Sequence, residues 1–531
     1  MTKRLAVRST LLAAVPALAA MLALASAAVA AEQVLIFNNG AEPETLDPHK
    51  MTGVPEHTLA LALFEGLVTH DPKTLEPRPG VAESWTVSAD GLAYTFRLRA
   101  DAKWSNGDRV TSSDFLFSWE RALKPATASE YAYQLWYIKN AKKFNKGEIS
   151  DFADVGLKAP DDRTLVVTLE NPTHFFLDLC GFETLMPVHR GCLEAHGEKW
   201  TKAGNLVGNG PFVLAEWLPK QKIVFTPNPH YWNAKIVRLR RIEALPYDDL
   251  DTAYNMFLAE KVDWLRGIPL PKIDEIKRNP DYYAFPILAS YFFRFNVTKP
   301  PFDNVLVRKA FSLAVDRETL CRDVLKAGQI PATGYAPPGL PGYQPVSGPG
   351  YDRKKARELL AEAGYPEGKG FPAVDILFNT NESHKTVSEV LAQMWKENLG
   401  VTVGLRNTEW KIYMEEVRKL RYHVTRAGWN GDYLDPNTFL DMFVTGGGNN
   451  NTGFSNTEYD KLVLEASREA DPAKRMKILR RVEEILVVEQ LPILPLYFYV
   501  NQGLLAPKVK GVYSNIRDLH PFQYIWIEEE E

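Results

Sequence analysis

In the stretch RAGWNGDYLDPNTFL, Arg426–Leu440, Asp432 stands close to Trp429, Tyr433 and Phe439. A carboxylate among aromatic groups is poorly solvated, so it must be paired, be protonated or be met by an incoming cation. Asp435 follows three residues later, and two carboxylates can serve as the acid–base pair of an exported hydrolase. The simpler reading of Asp435-Pro436 is a turn before a helix that starts near Asn437, with Asp435 close to its N-terminus.

Other chemistries lack the spacing they need. The histidines are scattered singly without HExxH, and Cys180, Cys192 and Cys321 form no CxxC pair, so no metal site is expected. GYPEGKG is too short between its glycines for a phosphate loop and has no Ser or Thr after Lys369, which leaves a helix-ending turn. GNGPF at 208–212 lacks the third glycine of a dinucleotide fingerprint, and there is no GxSxG elbow. Nothing here asks for a cofactor.

The elements that must position Asp432 are legible. PAVDILFN, SHKTVSEVLAQMWKENLG, VTVGLRN, EWKIYMEEVRKL and YHVTRAGW alternate strand and helix as a βαβαβ run, the pattern of a parallel sheet covered by helices. Gly400 closes the first of those helices. Arg426–Trp429 then falls at the carboxyl end of the third strand, where open α/β sheets present ligands, so Asp432 is expected just beyond the sheet edge in a crevice. Upstream, residues 304–325 and YDRKKARELLAEAG predict helices. The first 290 residues have a sheet-rich α+β texture: VLIFNNG, YTFRLR after Asp90-Gly91, KWSNGD with its Asn106-Gly107 turn, and the pair PFVLAEW and KIVFTPN. Thr111 and Asp114 have capping-box spacing at the start of a helix over 111–122.

The chain has 531 residues, 45% of them hydrophobic and 24% charged, enough for several cores of domain size. Lys3, Arg4 and Arg8 precede an apolar run from Leu11 to Leu24 and a small-residue site at Ala28-Val29-Ala30, the order of a secretory signal peptide over 1–30. Its removal takes the net charge from −4 to −7, which gives no sign of a nucleic-acid or anionic-membrane partner. No later stretch is long and apolar enough to span a bilayer, and no cysteine marks a lipid anchor. In an oxidising compartment Cys180 and Cys192 either close a short loop or stay buried thiols, with Cys321 on the helix over 304–325. The closing IEEEE is a solvated tail.

LFEGLVTHD (63–71), PGVAESW (79–85), DGLAYTFRLR (90–99), AKWSNGDRVTSSDFLFSW (102–119), PHYW (229–232), RKAFSLAVDRE (308–318) and RAGWNGDY (426–433) occur in the order and spacing of one family. From about Gln33 to Trp526 the chain resembles the large periplasmic oligopeptide-binding proteins that serve ABC importers. The resemblance implies a mixed α/β, bilobal periplasmic-binding-protein fold with an extra inserted lobe and a hinge. It divides the chain into lobe I at 31–64, 190–288 and 501–531, lobe II at 65–189, and lobe III at 289–500.

It further implies a non-enzymatic monomer in the periplasm that binds a short peptide as an added strand between lobes I and III and delivers it to a membrane permease. Asp432 would hold the ligand α-ammonium, Val54 and Gly428 would offer backbone groups, and Tyr131, His384, Trp410 and Trp429 would line the channel. Arg426 would face the ligand or hold Asp432. Core packing is the competing role for Tyr131 and Trp410, and an internal ion pair for Arg426. Asn430 and Ala289 stand where family members carry a disulfide. Leu325 and Val417 stand where family cations assist the ligand carboxylate, so Arg294 or Arg266 is expected to take that part, or the ligand is of another length or chemistry, such as a cell-wall peptide.

Overall fold

Two long antiparallel strands, Tyr282–Phe295 and Ile493–Leu505, form the centre of the fold. In the computed structural model, which describes residues 33–469 and 471–528, they lie in the middle of an eleven-stranded sheet. The expected leader at 1–30 and the end of the acidic tail lie outside the described residues. From the long pair the sheet continues one way through Val424–Asn430, Val374–Asn379 and Val403–Thr408. The other way it continues through Trp264–Arg266, Val34–Asn38, Arg241–Leu245, Lys222–Pro227 and Phe212–Leu218. Residues 282–286 pair with 500–504, whereas 290–294 pair with 493–498, so each long strand serves both main lobes.

Between Pro286 and Ser290 the pairing register breaks. Proline has no N–H to give the ladder, and the residues after it turn their backbone groups elsewhere. Leu288 N donates to Ile516 O at 2.6 Å, and Leu288 O accepts from Gly431 N at 2.7 Å. The irregularity thus fastens the two segments that carry Arg517 and Asp432.

The βαβαβ run folds as its pattern predicts. Val374–Asn379 lies between Val403–Thr408 and Val424–Asn430 and is parallel to both. The connecting helix Glu382–Leu399 starts at Asn381, whose side chain accepts from Ser383 N and His384 N, and stops at Gly400, with φ +73°. Val387, Leu391, Trp395 and Leu399, four apart, form its buried stripe. The inserted lobe is a four-stranded antiparallel sheet, in the order Ala82–Val87, Ala93–Leu98, Thr164–Thr168, Leu157–Asp161, packed on the helix Ser112–Leu123 through Phe96, Phe115, Trp104 and Trp119. The capping box is formed: Thr111 N donates to Asp114 Oδ2 at 2.7 Å.

One reading is corrected and one left open is resolved. The helix expected over 304–325 is broken into Val305–Leu313, a turn Arg317–Thr319 and a wide π turn Leu320–Leu325. Asp316 caps a new start by accepting from Thr319 N, and buried Arg317 donates to the carbonyls that the break exposes, Ser312 O and Val315 O, while buried Arg308 ties the first helix to Phe302 O and Gln490 O. The cysteine alternatives resolve to three buried free thiols.

Glu483 secures the loop behind the site. It is fully buried and accepts from Tyr335 N, Ala336 N, Val346 N and the Tyr343 hydroxyl. Tyr335 in turn packs its ring edge-on against Phe292 and Phe439, beneath the Asp432 segment. Glu483→Ala leaves those donors unmet and is expected to cost roughly 3 kcal/mol or more, read as a thermal midpoint several degrees lower.

Candidate functional site

A cavity of about 430 Å³ opens where the two main lobes and the inserted lobe meet. Asp432, Trp429, Gly428, Arg426, Trp410, Tyr131, Val54, His384 and Arg266 all line it. Arg294 does not, which corrects that expectation. Opposite one another across the strand pair stand Tyr291 with Gly428 and Phe293 with Arg426, and in alternate register Phe292 with Ala427 and Arg294 with Thr425. Successive side chains of a strand point to opposite faces, so Arg294 leaves on the other face, 5.7 Å from the Phe292 ring centroid.

Asp432 answers the question its neighbours raised. It is 8% exposed, and its Oδ2 accepts from Gln134 Nε2 at 2.8 Å. No lysine, arginine or histidine among the described residues forms an ion pair with it. Burial, then the nearby acids Glu183 and Asp441, push its carboxyl well above the usual range, against a smaller pull from Arg517 and Gln134. Trp429 stacks on Tyr131 at 5.9 Å, while Tyr433 leaves the cavity and stacks at 4.0 Å on Phe175 in the inserted lobe's core. Asp435, the other carboxylate of a hydrolytic pair, is bound to Arg475 at 2.6 and 2.8 Å and accepts from Asn437 N, a structural position outside the cavity lining.

Arg426 carries the opposite charge in the same cavity. Its Nη2 donates to the Tyr499 hydroxyl at 2.8 Å and its Nη1 points at Asn379 Oδ1 at 3.5 Å, while Nε is buried with no partner. None of these partners is an acid. Its role is therefore not an internal ion pair. His384 lies beside it, its ring nitrogen 3.2 Å from the Tyr291 hydroxyl, and burial followed by the Arg426 charge keeps the imidazole neutral. Arg266 lines the cavity already neutralised by Asp518 at 2.8 Å.

Gly428 is where a side chain would intrude, since a Cβ there would meet the Tyr499 hydroxyl at 2.9 Å and Arg426 Nη2 at 3.3 Å. Parallel pairing with Val374–Asn379 ends at Thr425, so residues 426–430 pair only on the Tyr282–Phe295 side. Beyond the Arg426 carbonyl, which accepts from the Tyr413 hydroxyl, one backbone edge of that strand is paired with no other strand and borders the cavity, the geometry of strand addition. Val54 begins the helix Val54–Leu63, and its carbonyl already accepts from the Thr58 hydroxyl. Trp410 spans the lobes by donating Nε1 to Glu56 Oε1 at 3.2 Å, and burial holds the Glu56 carboxyl up at about 7.

Glu183, Gln134, Tyr499 and Arg517 were missed. Glu183, Gln134 and Arg517 belong to short turns, where no periodicity marks a facing direction, and Tyr499 lies within the long strand Ile493–Leu505, where the register break hides its facing.

The fold and this cavity define a bilobal periplasmic-binding protein. Residues 76–451 match the family described as bacterial extracellular solute-binding proteins, family 5 middle, and the chain belongs to that family. It is 37% identical to the periplasmic oligopeptide-binding protein OppA of Escherichia coli K12, over 92% of this chain and 91% of that one. The Haemophilus influenzae OppA complex with RPPGFSPFR is similar at TM-score 0.90 and 37% identity, covering 94% of this chain and 99% of that one. The murein tripeptide-binding protein MppA of Escherichia coli gives 0.90 in one structure, over 94% and 99% of the two chains, and 0.63 in its unliganded open form, over 94% and 98%, at 35% identity in both. The chain is thus more similar to the peptide complex than to the unliganded open form.

Asp432 binds its proton more tightly in the folded chain than in the unfolded one, so stability falls as pH rises from the unfolded value through the folded value. Asp432→Asn removes that dependence. It is expected to raise the thermal midpoint of the ligand-free protein at about pH 8 and leave it little changed at about pH 4.

Proposed function

We propose that the protein is a non-enzymatic, monomeric receptor of the periplasm, exported by a leader at 1–30 that is then removed. It captures short peptides between its main lobes and hands them to the membrane permease of an ABC importer. The lobes follow the division above, I at 31–64, 190–288 and 501–531, II at 65–189, and III at 289–500. The register break between Pro286 and Ser290 supports placing the hinge there.

One observation carries the reading: a buried acid without a cation, Asp432, and a half-buried cation without an acid, Arg426, line one cavity. Leaving either charge dry is costly, and an unblocked peptide brings the complement of both. Asp432 receives its α-ammonium and Arg426 its carboxylate, with neutral His384 as a further hydrogen-bonding group. Between them the peptide lies along the open edge at 426–430, bound by main-chain groups that read no side chain. Six residues of extended strand span at most roughly 20 Å, and with two side chains reaching inward this suits a peptide of about two to four residues. The same charge complementarity makes the closed form the one that a ligand stabilises.

Asp432→Ala is expected to weaken binding of free-amine tripeptides by about 100-fold while leaving N-acetylated ones nearly unchanged, by isothermal titration calorimetry. Equal loss for both would remove Asp432 from this role. Binding an ammonium also requires the carboxylate, so it displaces the proton that burial favours. Affinity for the free-amine peptide should therefore fall by up to about tenfold for each pH unit below the raised Asp432 value, with no such slope for the acetylated peptide. Incubated peptides should be recovered intact by mass spectrometry; new fragments would favour a hydrolase.

A further inference from the structure

The amine end of the cavity holds more acid than a single ammonium satisfies. Glu183, in the short turn Glu183–Leu185 of the inserted lobe, lines the cavity together with Asp432, with its side chain only 4% exposed. It is the charge that, after burial, most disfavours ionisation of Asp432, which places the two carboxylates within strong mutual influence. Two polar side chains already face them. His57 Nδ1 lies 2.8 Å from Glu183 Oε2, and Gln134 serves Asp432 while its own Oε1 is buried without a partner. The nearby cation, Arg517, is taken up by His70 Nε2 at 3.1 Å and Asp178 at 3.9 Å. The walls beside Glu183 are aromatic, with the Phe182 ring 5.9 Å from His57 and 5.2 Å from Tyr131.

A peptide that brings only its α-ammonium neutralises one carboxylate and supplies no cation to the other, whose polar neighbour in the cavity is the His57 imidazole. A first residue with a basic side chain brings a second cation from the same Cα, and its aliphatic stem is suited to aromatic walls. Resting on the peptide reading above, we propose that Glu183 reads the first side chain of the ligand and selects for a cationic one, lysine or arginine. The main-chain contacts along residues 426–430 are indifferent to side chains, so selectivity falls to groups such as this one. Asp432 then fixes the terminus and Glu183 its identity.

The test is calorimetric titration of the full mature chain with Lys-Ala-Ala, norleucine-Ala-Ala and Ala-Ala-Ala, against wild type, Glu183→Gln and Glu183→Asp. Lys-Ala-Ala is expected to bind wild type about tenfold or more tightly than norleucine-Ala-Ala. Glu183→Gln should abolish that preference, so that Lys-Ala-Ala and norleucine-Ala-Ala bind within about threefold of each other, and Glu183→Asp should keep part of it. No preference in wild type, a preference that survives Glu183→Gln, or an equal loss for all three peptides would overturn the proposal, the last by making Glu183 a second clamp on the α-ammonium. If Ala-Ala-Ala and its companions all fail to bind wild type, the peptide reading itself falls and takes this inference with it.

Discussion

The arrangement depends on keeping the Asp432 carboxylate dry without giving it a cation. In water such a group needs no partner; inside a protein it either takes up a proton or waits for a countercharge. Gln134 contributes a neutral donor, Glu183 and Asp441 add repulsion, and Arg517 is held by His70 and Asp178. Asp441 is itself held up at about 7 by burial, within hydrogen bonds from Tyr137, Tyr433 and Asn437. The surroundings tolerate the acid and do not saturate it, which is what a site for a cationic group requires.

That tension is sustained by the backbone irregularity of the long strand pair. Leu288 gives its carbonyl to Gly431 and its N–H to Ile516, so the segments carrying Asp432 and Arg517 hang on one residue. The break between Pro286 and Ser290 therefore also fixes where the principal acid and Arg517 stand relative to each other. A regular ladder here would satisfy its own hydrogen bonds and leave both segments unfastened.

Much of this was legible because local rules and global fold agree over long stretches. The helix Glu382–Leu399 has its Asn381 cap, its four-residue apolar spacing and its Gly400 stop in the sequence, and once three parallel strands are granted, Asp432 must lie past a carboxyl end. Arg294 was misplaced because its facing depends on the parity of pairing across a strand with register breaks, and parity cannot be read from residue types. The helix over 304–325 was drawn too long because apolar spacing runs on through a break stabilised by buried arginines bonding to distant carbonyls. Glu183 and Arg517 carried no signal at all: each sits in a short irregular segment and acquires meaning only from a partner hundreds of residues away.

Closure must be nearly balanced without ligand, or the charges in the cavity could not control it. The cross-lobe contacts have that character. Arg418 reaches Glu44 at 2.6 Å and Glu130 at 3.0 Å, joining all three lobes, yet each of these side chains keeps partial access to solvent, where such pairs are worth about 1 kcal/mol or less. Lys220 and Glu409 meet at 2.6 Å on the exposed rim, where screening leaves less still. The Trp410 bond to Glu56 offsets part of what it costs to bury that acid and adds little beyond it. Against these stand two groups without a countercharge, Asp432 and Arg426, whose desolvation closing worsens and which, on the proposed reading, a zwitterion would pair. Weak latches and strong, ligand-dependent charges together make a lobe arrangement that reports occupancy, since neither set could do so alone.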